Sequence, residues 1–259
     1  MNSTVVFVHG VPETSAIWNE LRAALPRNSV AVDLPGFGNP LPSGFTPNKD
    51  AYVDYVLSII DAIPGPVDLV GHDWGSLITA RIATAHGDRI RSWAADIGAV
   101  WHRDYMWHDF AQLWQSSPDG DEWMKKTVQD ALSTPPSGFF EIVGSLGLPS
   151  DHIPAVAKSF DSDMAASILG LYRSAVPNAH ATWAPTEPRN LQRSGLILQA
   201  AADPFDKVAA STEVATALNV DVAPLGDLGH FWMLDDPSGT AAVIDDWLNG
   251  VERKALTLR

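Results

Sequence analysis

The residues best placed to do chemistry stand in Gly71-His72-Asp73-Trp74-Gly75, directly after Val67-Asp68-Leu69-Val70. A helical pattern begins at Trp74 and runs to His86. A strand that turns sharply into a helix between two glycines lifts one side chain clear of the sheet. In the Gly-x-Ser-x-Gly form of this turn that side chain is a serine nucleophile. Here it is Asp73. The helix N-terminus beneath it favours negative charge, which keeps a carboxylate ionised and available. A carboxylate can attack an sp³ carbon and form an ester, which a neutral serine does poorly. That ester needs a base to activate water, and Gly229-His230-Phe231 supplies an imidazole. The competing reading is a glycine-rich turn in which Asp73 merely caps the helix.

Positioning these groups needs strands that end at one edge. Thr4–Val8 is short, β-branched and apolar, the pattern of a strand buried on both faces. Val30–Asp33, Val67–Val70, Ile90–Ile97, Gly195–Ala200 and Val220–Ala223 repeat that pattern. Amphipathic or apolar helical stretches lie between them, including Asp50–Ala62, Asp206–Leu218 and Ser238–Asn249. Strands alternating with helices predict an α/β fold with a mostly parallel, doubly wound sheet of about six strands. His9-Gly10, Asp73, Asp96, Asp203 and His230 all follow strands, so they gather at the carboxyl edge, where such sheets bind ligands. From 98 to 187 the alternation stops, and short helices carry Trp101, Trp107, Trp114, Trp123 and Trp183. The expected division is a core of residues 1–97 and 188–259 with a helical cap, 98–187, over the carboxyl edge.

The chain has 259 residues, a net charge of −14 and no cysteine. Its length suits one sizeable core with a subdomain. The acidic balance and the lack of a basic run argue against nucleic acid and anionic membranes as partners. Thiolate and disulfide chemistry are excluded. No apolar run is long enough to span a bilayer, and Met1-Asn2-Ser3-Thr4 leads straight into a strand, so a cytoplasmic location is expected.

Together His9-Gly10-x-Pro12, Asp33-x-x-Gly36-x-Gly38, Gly71-His72-Asp73-Trp74-Gly75 and Gly229-His230-Phe231 resemble the α/β-hydrolase superfamily. The order nucleophile, acid, histidine matches it too. More narrowly the chain is similar to the branch holding epoxide hydrolases and haloalkane or haloacid dehalogenases. The resemblance implies an α/β-hydrolase fold trimmed at its N-terminus, with a lid inserted after the strand that follows the nucleophile helix. It implies an alkyl ester on Asp73, hydrolysed by water that His230 activates. The backbone N–H groups of Val11 and Trp74 would hold the oxyanion, with His9 beside them, and the Trp74 indole could serve a halide. The acid that orients His230 would be Asp203, where most of the superfamily keeps it, or Asp96, where many dehalogenases do; Asp203 is preferred. In the lid, Tyr172 before Arg173 resembles a tyrosine that binds the epoxide oxygen. His108 would be its partner, with Tyr105 the less favoured choice. Trp107-His108 also parallels a halide-binding pair.

The reading that follows is an epoxide hydrolase acting on a small apolar substrate, with no cofactor and no metal. The alternative is a haloalkane or haloacid dehalogenase working by the same covalent route. A halide leaves unprotonated and needs only N–H donors, whereas an epoxide oxygen becomes an alkoxide and needs an acid. A serine-type esterase is disfavoured by Asp73 itself. A binding protein without turnover predicts a missing base or acid, and His230 and Asp203 are both present.

Overall fold

In a computed structural model, residues 3–183 and 193–257 are described. Six strands form one sheet: β1 (Thr4–Val8), β2 (Ser29–Val32), β3 (Val67–Gly71), β4 (Ser92–Ala95), β5 (Ser194–Gln199) and β6 (Asp221–Pro224). Their order is β2-β1-β3-β4-β5-β6 and every pairing is parallel. Val5, Val6, Phe7 and Val8 are fully buried, as a central strand covered on both faces requires. The edge strands β2 and β6 are partly exposed along most of their length.

Helices α1 (Asn19–Ala24), α2 (Lys49–Ala62) and α3 (Trp74–Ala85) connect the first strands. Asn48 caps α2, accepting from the N–H groups of Asp50 and Ala51. Between β4 and β5 the described residues hold six helices. These are α4 (Asp109–Gln115), α5 (Asp119–Ala131), α6 (Phe139–Ser145), α7 (Ile153–Ser159), α8 (Ser162–Arg173) and α9 (Ala179–Trp183). Aromatic edges hold this insert together: Phe139 packs on Phe110, Trp114 and Trp123 with ring centres 5.1 to 6.0 Å apart. The last part of the expected cap, 184–187, lies outside the described residues. The core closes with α10 (Val208–Leu218), α11 (Trp232–Asp235) and α12 (Pro237–Thr257).

Three boundaries differ from the sequence reading. Strand β4 stops at Ala95 because the Asp96 N–H is taken by the Ser76 hydroxyl and Ile97 turns left-handed, φ 45°. Helix α10 starts two residues late because the Asp206 carboxylate binds the Ala99 N–H instead. Helix α12 runs past Asn249-Gly250, where a stop was expected. Arg27 explains that extension, since it grips Asp245, Asn249 and Glu252 along one helix face.

Candidate active site

The turn from β3 into α3 is built by close packing. A Cβ on Gly75 would lie 2.0 Å from the Val8 carbonyl oxygen, and one on Gly10 would lie 2.3 Å from Asp73 Cβ. Neither position can carry a side chain without moving backbone. Asp73 adopts φ 51° and ψ −118°, a strained conformation of the kind held only where surrounding structure enforces it. Its side chain makes no capping hydrogen bond to α3. Instead Asp73 Oδ1 accepts from the Val11 N–H at 2.9 Å. The carboxylate is therefore turned away from the helix toward a cavity, which disposes of the capping alternative. Burial, and then the charge of Glu13, push its pKa up to about 6.

His230 and Asp203 meet at the same edge. His230 Nδ1 lies 3.0 Å from Asp203 Oδ2, and Asp203 Oδ1 accepts from the Phe205 N–H at 2.8 Å. With Nδ1–H directed at the carboxylate, Nε2 is the free basic atom. Burial disfavours charge on His230, but Asp203 outweighs it and raises the pKa above the ordinary value.

Asp96 does something else. Its oxygens accept from the Asp73 N–H at 3.0 Å, the Ser76 hydroxyl at 2.6 Å and the Trp232 indole at 2.7 Å, and it pairs with His72 Nδ1. It makes no bond to His230, so the alternative role considered for it as the orienting acid is not the one its geometry serves. Asp96 braces the turn that carries Asp73. On the other side of His72, Glu13 Oε1 lies 3.6 Å from Nε2, while Glu13 Oε2 accepts from the Gly10 N–H at 2.8 Å. Burial opposes the His72 charge, yet Asp96 and Glu13 raise its pKa well above the usual range. The same imidazole lowers the pKa of both carboxylates despite their burial. Sequence reasoning passed over Glu13 and His72. The available signal was an acid and an imidazole at apolar strand ends, where ionisable groups are rarely buried unpaired.

One cavity, with about 40 Å³ of free volume, joins the core to the insert. Val11, Asp73 and His230 line it from below, and His108, Trp114 and Tyr172 from above. His108 caps α4, its Nδ1 accepting from the Ala111 N–H at 3.3 Å, which leaves Nε2–H as the donor. Burial, with the nearby His230, lowers its pKa to about 4, so it offers an N–H rather than a proton. Burial and Asp73 raise the Tyr172 pKa well above 10, so its hydroxyl keeps its proton. The Trp74 indole is buried edge-on to Tyr172, ring centres 5.2 Å apart, with its N–H near the tyrosine but outside full hydrogen-bond geometry. Two expected contacts are placed elsewhere. Trp107 stacks on Trp74 and spends its indole N–H on the Ala175 carbonyl at 3.0 Å. His9 is fully buried, with Nδ1 on the Gly10 carbonyl and Nε2 accepting from the Leu34 N–H. It ties two loops together behind the site.

A parallel sheet, a strained turn carrying Asp73 and a His230–Asp203 pair at its carboxyl edge agree with a wider comparison. The profile described as "Alpha/beta hydrolase family" matches residues 5–243. The chain belongs to that family. It is similar to the 2-hydroxymuconate semialdehyde hydrolase of a Pseudomonas species, 30% identical over 94 residues, which cover 34% of this chain and 33% of that one. It is similar to epoxide hydrolase 2 of Siraitia grosvenorii, 30% identical over 96 residues, covering 34% and 30%. The chain thus matches about a third of the length of these curated relatives. Among solved structures, haloalkane dehalogenases from Bradyrhizobium elkani and Agrobacterium tumefaciens share its fold. Their TM-scores are 0.76 and 0.77 at 21% and 18% identity. The alignments cover 98% and 96% of this chain and 92% and 90% of theirs. Among the described residues, no helix is long and apolar enough to cross a membrane.

Proposed function

We propose that this hydrolase opens a small, uncharged epoxide to a diol through an ester on Asp73. The observation that carries the reading is the Tyr172 hydroxyl, which shares one cavity with the Asp73 carboxylate and the His230 imidazole. Asp73 attacks a ring carbon, the ring C–O bond breaks, and its electron pair goes to the oxygen. That oxygen takes a hydrogen bond and then a proton from Tyr172. His230 Nε2 next removes a proton from water, which attacks the Asp73 carboxyl carbon. The Val11 N–H, already on Oδ1, steadies the oxyanion as the ester C–O bond breaks. The departing diol oxygen takes the proton held by His230, and the new Asp73 carboxylic acid returns its proton to the Tyr172 oxygen, so every group is restored. The neutral His108 adds an N–H donor but no proton.

A cavity of about 40 Å³ holds only a few waters at about 10–15 Å³ each. Substrate therefore enters by displacing part of the helical insert. No lysine or arginine lines the cavity among the described residues. A haloacid would bring its own carboxylate beside Asp73 and Glu13 with nothing to neutralise it, so an acid substrate is disfavoured. The dehalogenase reading keeps one specific support: the unpartnered Trp74 indole N–H, which suits a leaving halide. Styrene oxide, a short aliphatic epoxide, 1-bromobutane and bromoacetate, each assayed for diol or halide release, separate the two. Diol from the epoxides is expected. Halide release without any diol would replace this reading with the dehalogenase.

A further inference from the structure

Glu13, His72 and His230 converge beneath the nucleophile in a way the hydrolytic steps do not account for. A ring nitrogen of each histidine and a carboxylate oxygen of Glu13 lie within 4.8 Å of one another, and all three residues are buried. Glu13 Oε1 and His72 Nε2 face each other at 3.6 Å, held by charge but without a closed hydrogen bond, so a metal there would take the place of the imidazole proton. The opposite atom of each residue is fixed: His72 Nδ1 by Asp96, His230 Nδ1 by Asp203, Glu13 Oε2 by the Gly10 N–H. An imidazole whose far nitrogen is held by a carboxylate is the usual outer shell of a metal-binding histidine.

The geometry points to a site for a divalent transition metal such as zinc, held by Glu13, His72 and His230, that switches the hydrolase off by occupying its base. Metal bonds of 2.0–2.2 Å set tetrahedral ligand edges of about 3.4 Å. The Glu13–His72 edge is 3.6 Å, so that pair needs little adjustment. Two imidazoles and one carboxylate are a donor set that zinc takes in catalytic sites, with the fourth position open. Of the three, His230 lines the cavity while Glu13 and His72 lie buried behind it, so metal would enter from the cavity past His230. Four carboxylates, Glu13, Asp73, Asp96 and Asp203, cluster about His72 and His230, so added positive charge is favoured. With its ring nitrogen on the metal, His230 cannot take a proton from water. The inhibition part rests on the proposed hydrolase function, and the binding part does not.

The test is calorimetric titration of zinc chloride into the whole chain in a non-chelating buffer, paired with the visible spectrum of the cobalt(II) complex. One metal per chain and an intense tetrahedral cobalt band are expected. Glu13→Gln and His230→Gln should each weaken zinc binding tenfold or more, with His180→Gln in α9 unchanged. Circular dichroism shows whether each variant is folded. If epoxide turnover is established, zinc should abolish it at the concentrations that saturate the calorimetric site, and a chelator should restore it. Zinc that binds while no substrate is turned over leaves the site standing and sinks the hydrolase reading instead. No heat and no cobalt band in the native chain, or affinity unchanged in both folded variants, would overturn the site.

Discussion

The sheet edge and the helical insert contribute to one cavity by different means. At the edge, backbone fixes the chemistry. Asp73 sits on a strained turn whose glycines leave no room for a Cβ, one built on Gly75 falling 2.0 Å from the Val8 carbonyl oxygen, and His230 and Asp203 follow adjacent strands β6 and β5. In the insert, side-chain packing does the placing. Tyr172 is held by T-shaped contacts to Trp74, Trp107 and Trp114 with ring centres 4.9 to 5.2 Å apart. Groups set by a sheet are rigid, whereas groups set by packed rings can shift when a substrate enters. On the proposed mechanism the edge holds the nucleophile and base, and the insert holds the leaving-group donors and must move.

The sharpest way to break this contrast is to compare the two carboxylates of the edge. Asp203→Asn should lower turnover on the order of 10³- to 10⁴-fold through the wrong histidine tautomer, with the fold intact. Asp96→Asn should instead cost stability. It strips a buried partner from His72, a loss typically about 3–5 kcal/mol, so the melting temperature should fall by roughly 10 °C. Steady-state rates and thermal unfolding of both variants read the two effects. A larger catalytic loss in a folded Asp96→Asn would reverse the assignment.

In the insert, Tyr172→Phe should slow epoxide opening by about 10²-fold, as losing one transition-state donor does, and leave any halide release near its native rate. Equal loss on both substrate types would make Tyr172 a packing residue.

The edge also predicts a pH limb. Burial raises the Asp73 pKa to about 6, so below that value the nucleophile is protonated and inactive. Ester formation in a single turnover should fall about tenfold per unit below pH 6 and level off above it. Since Tyr172 titrates well above 10, no alkaline limb from it is expected below pH 9. Ester formation that stays flat down to pH 4 would show that Asp73 is less buried in the working enzyme.

The smallest effect belongs to Trp107. Its indole serves the Ala175 carbonyl, so Trp107→Phe should change turnover less than about threefold and stability by about 1 kcal/mol. A loss above tenfold would put Trp107 on the substrate after all.

The same contrast explains what could be read from the chain. Strand ends and glycine spacing write Asp73, His230 and the six-strand sheet into local sequence, because period and turn chemistry are local. Separating Asp203 from Asp96 needed tertiary contacts, since both follow strands and only one reaches the imidazole. His72 lay inside the Gly71–Gly75 motif and Glu13 one residue past His9-Gly10-x-Pro12, but their pairing joins the loop after β1 to the end of β3. In the insert, an aromatic is equally suited to core or to cavity, and nothing local says that Trp107 turns its N–H away while Tyr172 does not. The direction of the His108 shift, set by burial under the insert, was likewise out of reach of the sequence.

The central claim is a covalent ester on Asp73, and the intact mass of His230→Gln after incubation with substrate tests it most directly. Without its base the variant should still form the ester and fail to clear it. An epoxide opens without losing atoms, so the protein should gain the full mass of styrene oxide, mapped by peptide analysis to Asp73. A gain of substrate mass minus hydrogen halide, seen only with organohalides, would move the assignment to a dehalogenase. A folded His230→Gln that gains no mass with either class would contradict carboxylate nucleophilic catalysis by this chain.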